Sequence, residues 1–250
     1  MKNLILAFII GIVVFCYSCS PIYYVPNTQN IPQLEQKGQS KLSASFNLTD
    51  ATAGGELQAA HAVTNRIAVL ANLLYCKAKD DNANGSGKQI ELGPGYYKKI
   101  TNNLIFESYA LVGFGNVENI FTKTHYTTKD TIRFDENVKA NFYRIGLQPS
   151  LSYKRKNFDI AFSTKLSNVV YNNIKGNLVN EVNSVLINEV QFLKDNKNNL
   201  FMEPAFTISG GSSKFKLQLQ LQKSYNLSNA KFKYDDFQLS LGLKYLLMKS

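Results

Sequence analysis

The amino-acid sequence predicts an all-β protein, an up-and-down antiparallel barrel of about ten strands, within a range of roughly 8 to 12. Three observations lead to this prediction. From residue 41 onward, apolar and polar residues alternate with the period of a strand. Along the chain, the connections between these segments are alternately short and long. The 250 residues include 14 Tyr and 16 Phe but only 6 Pro, a composition that favours strands.

Residues 1–18 are predicted to be an export signal. A lysine precedes an apolar run from Leu4 to Tyr17, which is shorter than the about 20 apolar residues of a membrane-spanning helix. Ser18 directly before Cys19 resembles the lipobox of bacterial lipoproteins, although Cys16 stands where that family usually has Leu or Val. The resemblance implies that Cys19 is acylated and becomes the new N-terminus. The alternative is an ordinary signal that is cleaved nearby without a lipid.

Residues 19–40 are predicted to be an extended, lipidated tether between this anchor and the fold. Three of the six prolines fall between residues 20 and 40, with polar residues between them and no periodicity. The barrel domain is predicted to comprise residues 41–250.

The last two strands show the alternation most clearly. Between residues 214 and 247, glutamine, lysine, serine and glycine occupy one face of each strand. The apolar residues of the opposite face are predicted to face lipid: Phe215, Leu217, Leu219, Leu221, Phe237, Leu239, Leu241, Leu243 and Tyr245.

The connections predict how the barrel sits in a membrane. Those predicted to be short are residues 64–66, 99–103, 154–157 and 210–213. Those predicted to be long are residues 49–55, 77–87, 116–137, 173–200 and 226–236. Outer-membrane barrels place short turns in the periplasm and long loops outside. An even number of strands returns both ends of the barrel to the periplasmic side, so the lipid-anchored N-terminus is predicted there.

The polar face is predicted to line the lumen of a transmembrane barrel. It is rich in Gly, Ser and Gln, whereas the surface of a soluble barrel would carry more Lys and Glu. The alternative is a soluble periplasmic lipoprotein barrel whose apolar interior binds an apolar ligand. In the transmembrane reading the charges scattered on this face lie in the lumen: Glu56, Glu91, Glu107, Arg144, Lys165 and Lys216.

Two local stretches carry a resemblance to a known class of proteins. Residues 57–69 read as a hairpin with a Thr-Asn turn, and residues 106–115 read as a strand rich in glycine and aromatic residues. In pattern and topology, residues 41–250 resemble the small outer-membrane β-barrel proteins of diderm bacteria, OmpX/OmpW-like in the broad sense. The resemblance implies an outer-membrane protein that displays loops on the cell surface.

Catalytic chemistry has one candidate residue. His125 falls in the third long loop with Asp130 and Asp135 after it, so it could act as a general base. No serine motif, paired carboxylates or phosphate-binding loop accompanies it, and no metal or cofactor is predicted. The expectation is that the protein is not an enzyme, with a barrel enzyme using His125 as an alternative. Residues 173–200 are predicted to form either a short helix over the barrel mouth or extensions of the flanking strands.

The charge indicates which partners suit the chain. The formal net charge is +10 at pH 7, which suits anionic outer-membrane lipids, lipopolysaccharide among them. No basic helix or stacking motif points to nucleic acid. The sequence therefore predicts a non-enzymatic outer-membrane β-barrel lipoprotein with a structural, adhesive or partner-binding role, in which outer loops offer a site for a protein partner.

Overall fold

The computed structural model describes residues 20–80, 82–126, 131–182 and 185–247. In chain order its elements are β1 (Ser40–Thr49), β2 (Ala53–Ala62), β3 (Ile67–Lys79), β4 (Ala83–Lys99), β5 (Leu104–Tyr126), β6 (Thr131–Lys154), β7 (Phe158–Gly176), β8 (Val179–Val182), β9 (Val185–Asn188), α1 (Glu189–Asp195), β10 (Asn198–Gly211), β11 (Phe215–Lys223), β12 (Tyr225–Asn226) and β13 (Phe237–Leu247).

Ten of these strands close into an antiparallel barrel, which confirms the predicted fold class. Strands β1 to β7 pair in sequence, β10 pairs with β7, and β11 pairs with both β10 and β13. The last strand, β13, pairs with β1 from Ser40 opposite Leu247 to Thr49 opposite Gln238, and this ladder closes the barrel. A closed barrel leaves no strand edge with unpaired backbone groups, which is what a membrane requires.

The apolar face of the strands points outward and the polar face points into the lumen. Leu217 and Leu241, for example, are 59% and 57% exposed, while their neighbours Gln218 and Ser240 are buried. The nine predicted lipid-facing residues all lie on the outside. Phe215, Leu217, Leu221, Leu241, Leu243 and Tyr245 are exposed, and Leu219, Phe237 and Leu239 are partly exposed.

The outward apolar residues form a belt that begins at the short turns. On β6 the belt runs from Tyr153 to Tyr143, and the next outward residue is Asn141. On β5 the belt ends at Phe114, and the next outward residue is Asn116. Because about 9–11 residues of tilted strand cross a bilayer, the strands of 17 to 24 residues (β4 to β7) project well beyond the belt at its other end. We call these ends the short-turn end and the tall end.

Strands β4 to β7 form the side of the barrel that reaches furthest at the tall end, and we call them the tall wall. These strands are longer than the sequence predicted. Strand β4 begins at Ala83, and β5 and β6 pair through to Tyr126 opposite Thr131, so most of residues 77–87 and 116–137 are strand and not loop. These stretches are polar, and the alternation that marks a strand in lipid is absent from their outward face. Of these residues, Val117 and Phe121 pack inward on a cluster of buried apolar side chains.

Residues 177–182 and 185–197 fold back over the tall end. Strands β8 and β9 form a separate hairpin, and α1 follows with Asn188 as its N-cap, whose side chain accepts from Gln191 N. Val190 and Leu193 of α1 are buried against the wall. Of the two predictions for residues 173–200, a short loop helix is therefore present, and β7 also extends to Gly176. Among the described residues, no helix has the length and hydropathy needed to cross a membrane.

Residues 20–39 lie inside the barrel, and we call them the luminal segment. At the tall end, Tyr23 N donates to Lys233 O at 3.0 Å. At the short-turn end, Gly38 N donates to Ala62 O at 2.9 Å. The segment is extended, as predicted, but it is not a tether that merely links an anchor to the barrel. It is part of the packed lumen, with its first residues at the tall end and its last residues at the short-turn end.

Candidate functional site: the occupied lumen

The first fifteen residues of the luminal segment carry no charge into the lumen. Residues 20–34 contain no Asp, Glu, Lys or Arg, and Asn27, Thr28, Gln29 and Asn30 are fully buried. Amide and hydroxyl side chains can both donate and accept, so they bind wall residues of either charge. This suits a lumen whose wall carries buried acids and bases together.

Four glutamines of the wall bind the backbone of the luminal segment. The side-chain amides of Gln238, Gln58, Gln220 and Gln148 donate to the carbonyl oxygens of residues 26, 28, 29 and 30, at 2.9, 2.7, 3.0 and 2.8 Å. A buried carbonyl without a partner is costly, so these hydrogen bonds stabilise the segment in the lumen. The glutamines therefore hold the segment extended along the lumen axis.

An ion network surrounds Asn27 at mid-height. Arg144 pairs with Glu91, and Lys165 Nζ lies 3.5 Å from Glu91 Oε2. Asn27 Oδ1 accepts from Arg144 Nη2 and from Lys165 Nζ, both at 2.7 Å, while its Nδ2 donates to Glu91 Oε2 at 3.2 Å. All four side chains are buried. The asparagine joins two cations and one carboxylate, so the luminal segment completes the network.

Thr28 and Tyr24 extend these contacts. Thr28 N donates to Glu56 Oε1 at 2.8 Å. Tyr24 OH accepts from Arg144 Nη1 at 2.7 Å and donates to Glu203 Oε1 at 2.9 Å. Two buried carboxylates of the wall, Glu56 and Glu203, are thus bound by the luminal segment in addition to Glu91.

Carboxylates also fix the segment near the short-turn end. Glu107 accepts from the backbone N–H groups of Gln33 and Leu34, at 2.9 and 3.2 Å. Glu35, the first charged residue of the segment, pairs with Lys154 at 2.7 Å. The segment is therefore held along its whole length.

An aromatic cluster fills the tall end. Tyr24 stacks on Phe201 with 4.2 Å between ring centroids, and Tyr23 lies 5.8 Å from Phe232. Tyr23 OH donates to Glu189 Oε2 of α1 at 2.6 Å. The helix and the segment therefore close this mouth together.

Two small gaps lie between the segment and the wall. Two gaps, one beside Ile22 and Cys76 and the other beside Tyr23 and Leu74, each measure about 20 Å³. A cavity of that size holds about one water molecule. Within the part of the chain that the structure describes, the lumen is a packed interior.

The structure places the predicted site residues as follows. The six predicted lumen charges are all buried in the lumen: Glu56, Glu91, Glu107, Arg144, Lys165 and Lys216. His125 pairs with Ile132 in the β5–β6 register, and its side chain lies outside the described residues, as do Cys19 and Asp130. In the ranges that are described, no group of three or more His, Cys, Asp or Glu could hold a metal ion.

Sequence reasoning missed the luminal residues themselves. One signal could have indicated them, namely that residues 20–34 lack any charge, which is unusual for a tether in water.

Buried Asp235 predicts a pH-dependent stability. It lies in the connection between β12 and β13, and burial raises the pKa of its carboxyl to about 6, against hydrogen bonds from Thr49 and Thr52 that lower this pKa. A raised pKa favours the protonated form in the fold, so its contribution is full below about pH 4 and is lost as the pH rises through 6. We expect the free energy of unfolding to fall by up to about 3 kcal/mol over that range.

Urea unfolding of the refolded barrel at pH 4 and pH 8 measures this loss. Asp235→Asn should flatten the pH dependence, whereas Asp195→Asn, at an exposed aspartate of α1, should leave it as in wild type. An unchanged slope in Asp235→Asn would contradict the assignment.

Comparison with solved structures finds outer-membrane proteins of low similarity. An outer membrane channel from Pseudomonas putida F1 is 12% identical, with a TM-score of 0.47, over 89% of this chain and 100% of that one. The translocator domain of the autotransporter NalP from Neisseria meningitidis is 8% identical, with a TM-score of 0.45, over 84% and 88%. The outer membrane protease OmpT from Escherichia coli is 9% identical, with a TM-score of 0.43, over 84% and 94%. No family model and no curated protein matches the sequence. The fold class of this chain, a closed antiparallel barrel of ten strands with its apolar face outward, is given by its own strand pairing and burial.

Proposed function

We propose that this protein is a non-conducting, non-enzymatic outer-membrane lipoprotein, acylated at Cys19, that binds a partner through its tall end. The occupied lumen is the observation that supports this proposal most. Residues 23–35 make contacts along the lumen from Tyr23 at the tall end to Glu35 near the short turns. A lumen packed in this way leaves no path for bulk solute flow, and the surfaces that remain for function are the outside and the two ends.

The tall end carries features of a binding surface. Val185 and Leu186, in the β8–β9 hairpin, are 60% and 71% exposed. Ile132 and Phe134, on the part of β6 that projects beyond the belt, are exposed as well. Apolar side chains that face water and not lipid mark interaction sites when they cluster. A protein partner at this end would cover them.

The two alternatives have less support. A soluble barrel with an apolar ligand needs an apolar interior, whereas this interior contains buried Gln, Ser and ion pairs, and the apolar residues face outward. A barrel enzyme would use His125, whose side chain lies outside the described residues, and the contacts described in the lumen lend it no support. The carboxylates Glu56, Glu91 and Glu107 are bound by the luminal segment.

Site-specific photo-crosslinking on intact cells tests the partner. With p-benzoylphenylalanine in place of Leu186, we expect a discrete protein adduct, because this side chain is the most exposed large apolar residue near the tall end. The same group in place of Leu217, on the lipid-facing belt, is the matched control and should give no such adduct. The adduct at residue 186 should disappear when Val185→Lys is added. Equal crosslinking at the two positions would contradict a partner-binding tall end.

A further inference from the structure

We propose that the residues before the luminal segment lie on the cell surface, so that the chain passes its own N-terminus outward through the barrel. The acyl chains on Cys19 then enter the outer leaflet of the outer membrane, a corollary that rests on the lipidation in the proposed function. This reverses the periplasmic N-terminus predicted from the even number of strands.

The contacts of the luminal segment give its direction. Its first residues bind the tall end, where Ile22 N donates to Asn119 Oδ1 at 3.2 Å and Asn119 Nδ2 donates to Ile22 O at 2.9 Å. Its last residues bind the short-turn end, where Gly38 and Gln39 exchange backbone hydrogen bonds with Ala62. The chain therefore runs from the tall end to the short-turn end and then turns into β1.

The belt identifies the outer side. It begins at the short turns and ends at Phe114 on β5, so the structure beyond the bilayer is almost entirely at the tall end. Barrels of the outer membrane have short turns in the periplasm and their larger structures outside. The tall end is then extracellular, and Asn119, five positions beyond Phe114, holds Ile22 above the belt.

The length of chain excludes a return to the periplasm. Cys19 precedes Ile22 by three residues, which span at most about 11 Å when fully extended. The apolar belt of such barrels is about 25 Å tall. A lipid on Cys19 therefore cannot reach the periplasmic leaflet while Ile22 stays bound to Asn119.

The rim of the barrel is low near Ile22. Strands β1 and β2 have 10 residues each, and Thr52 in the connection between them lines the same small gap as Ile22. The rim on this side lies far below the tips of β5 and β6. The chain before Ile22 therefore leaves the lumen close to the membrane surface, within reach of the outer leaflet.

Cysteine labelling with a membrane-impermeant maleimide tests this topology. In a Cys76→Ser background, Ser20→Cys should be labelled on intact cells to the same extent as Lys231→Cys in an outer connection. Lys156→Cys, in the short β6–β7 turn, should be labelled only after the outer membrane is permeabilised. Heat-modifiable gel migration verifies that each variant has assembled. Labelling of Ser20→Cys only after permeabilisation would overturn the proposal.

An epitope inserted between residues 20 and 21 provides a second readout that does not depend on thiol chemistry. It should bind antibody on intact cells, and failure to bind while an epitope in residues 228–231 does bind would equally overturn the proposal. A fatty-acid label that Cys19→Ser abolishes tests the lipid separately. If the label is absent while Ser20→Cys remains accessible, the lipid of the proposed function is wrong and the outward N-terminus stands.

Discussion

Deleting residues 21–38 should convert this closed barrel into an open pore. The luminal segment fills a lumen whose wall carries glutamines, serines and ion pairs, and such a surface hydrates when the segment is gone. We expect the deletion variant to let small solutes into proteoliposomes at least about tenfold faster than wild type, because a ten-stranded barrel without its filling has room for water. Liposome swelling and planar-bilayer conductance both measure this.

A matched control keeps the segment and removes one of its contacts. Asn27→Ala loses the hydrogen bonds to Arg144, Lys165 and Glu91 but leaves the other contacts of the segment in place, so it should remain closed or nearly closed. Heat-modifiable migration shows whether the deletion variant has assembled. An assembled deletion variant that conducts no better than wild type would mean that the lumen is closed by something other than this segment.

The same deletion bears on the topology of the N-terminus. Without residues 21–38, Ser20 precedes Gln39 and Ser40, which lie at the short-turn end next to Ala62. A cysteine at residue 20 in this variant should then be labelled from the periplasm and not from the cell surface. The side on which residue 20 lies depends on the luminal segment and not on the number of strands.

The fold was predictable because the alternation along the strands is local. In β11 and β13, the alternation of apolar and polar residues along the chain indicates which side chains face lipid and which face the lumen. Which strands they pair with follows because the barrel has to close. The six lumen charges follow from the same parity. The lengths of the strands were less predictable. Strands β5 and β6 continue beyond the belt, and there their outward face shows no apolar alternation.

The occupied lumen was not predictable from the sequence, because its contacts join residues that are far apart in the chain. Asn27 meets Arg144 117 positions later, and Gln29 meets Gln220 191 positions later. Neither Asn27 nor Gln29 lies in a motif or a periodic segment. The prolines correctly indicated extended backbone, but extended backbone looks the same in the lumen and in water. The sequence alone therefore could not indicate that residues 20–39 line the lumen.

Arg144→Met should be among the most destabilising substitutions in the barrel. Arg144 is 1% exposed, pairs with Glu91 and donates to Asn27 and Tyr24. Removing it leaves Glu91 buried with only the more distant Lys165 as a cation, at 3.5 Å. Breaking a buried pair by removing one partner costs about 3–5 kcal/mol, and we expect a loss of this size in urea unfolding.

Two comparisons separate this loss from a general effect of removing a charge. Lys139→Met breaks an ion pair of 2.6 Å with Glu118 on the outside of the tall wall, where both side chains are partly exposed, and should cost less than about 1 kcal/mol. Glu91→Gln added to Arg144→Met removes the uncompensated carboxylate and should restore part of the loss. If Arg144→Met costs no more than Lys139→Met, the network is not what holds the wall and the luminal segment together.

Arg144 also connects the stability of the barrel to the closure of its lumen by the luminal segment. Two of its donors bind the luminal segment, at Asn27 and Tyr24, and its third partner, Glu91, belongs to the wall. Arg144→Met should therefore loosen the segment as well as the barrel, so its leak in the swelling assay should exceed that of Asn27→Ala. Adding Asn27→Ala to Arg144→Met should then cost less than Asn27→Ala costs alone, since contacts in one network are not additive. Additive losses would mean that wall and segment are stabilised independently, and the segment could then leave the lumen without weakening the barrel around it.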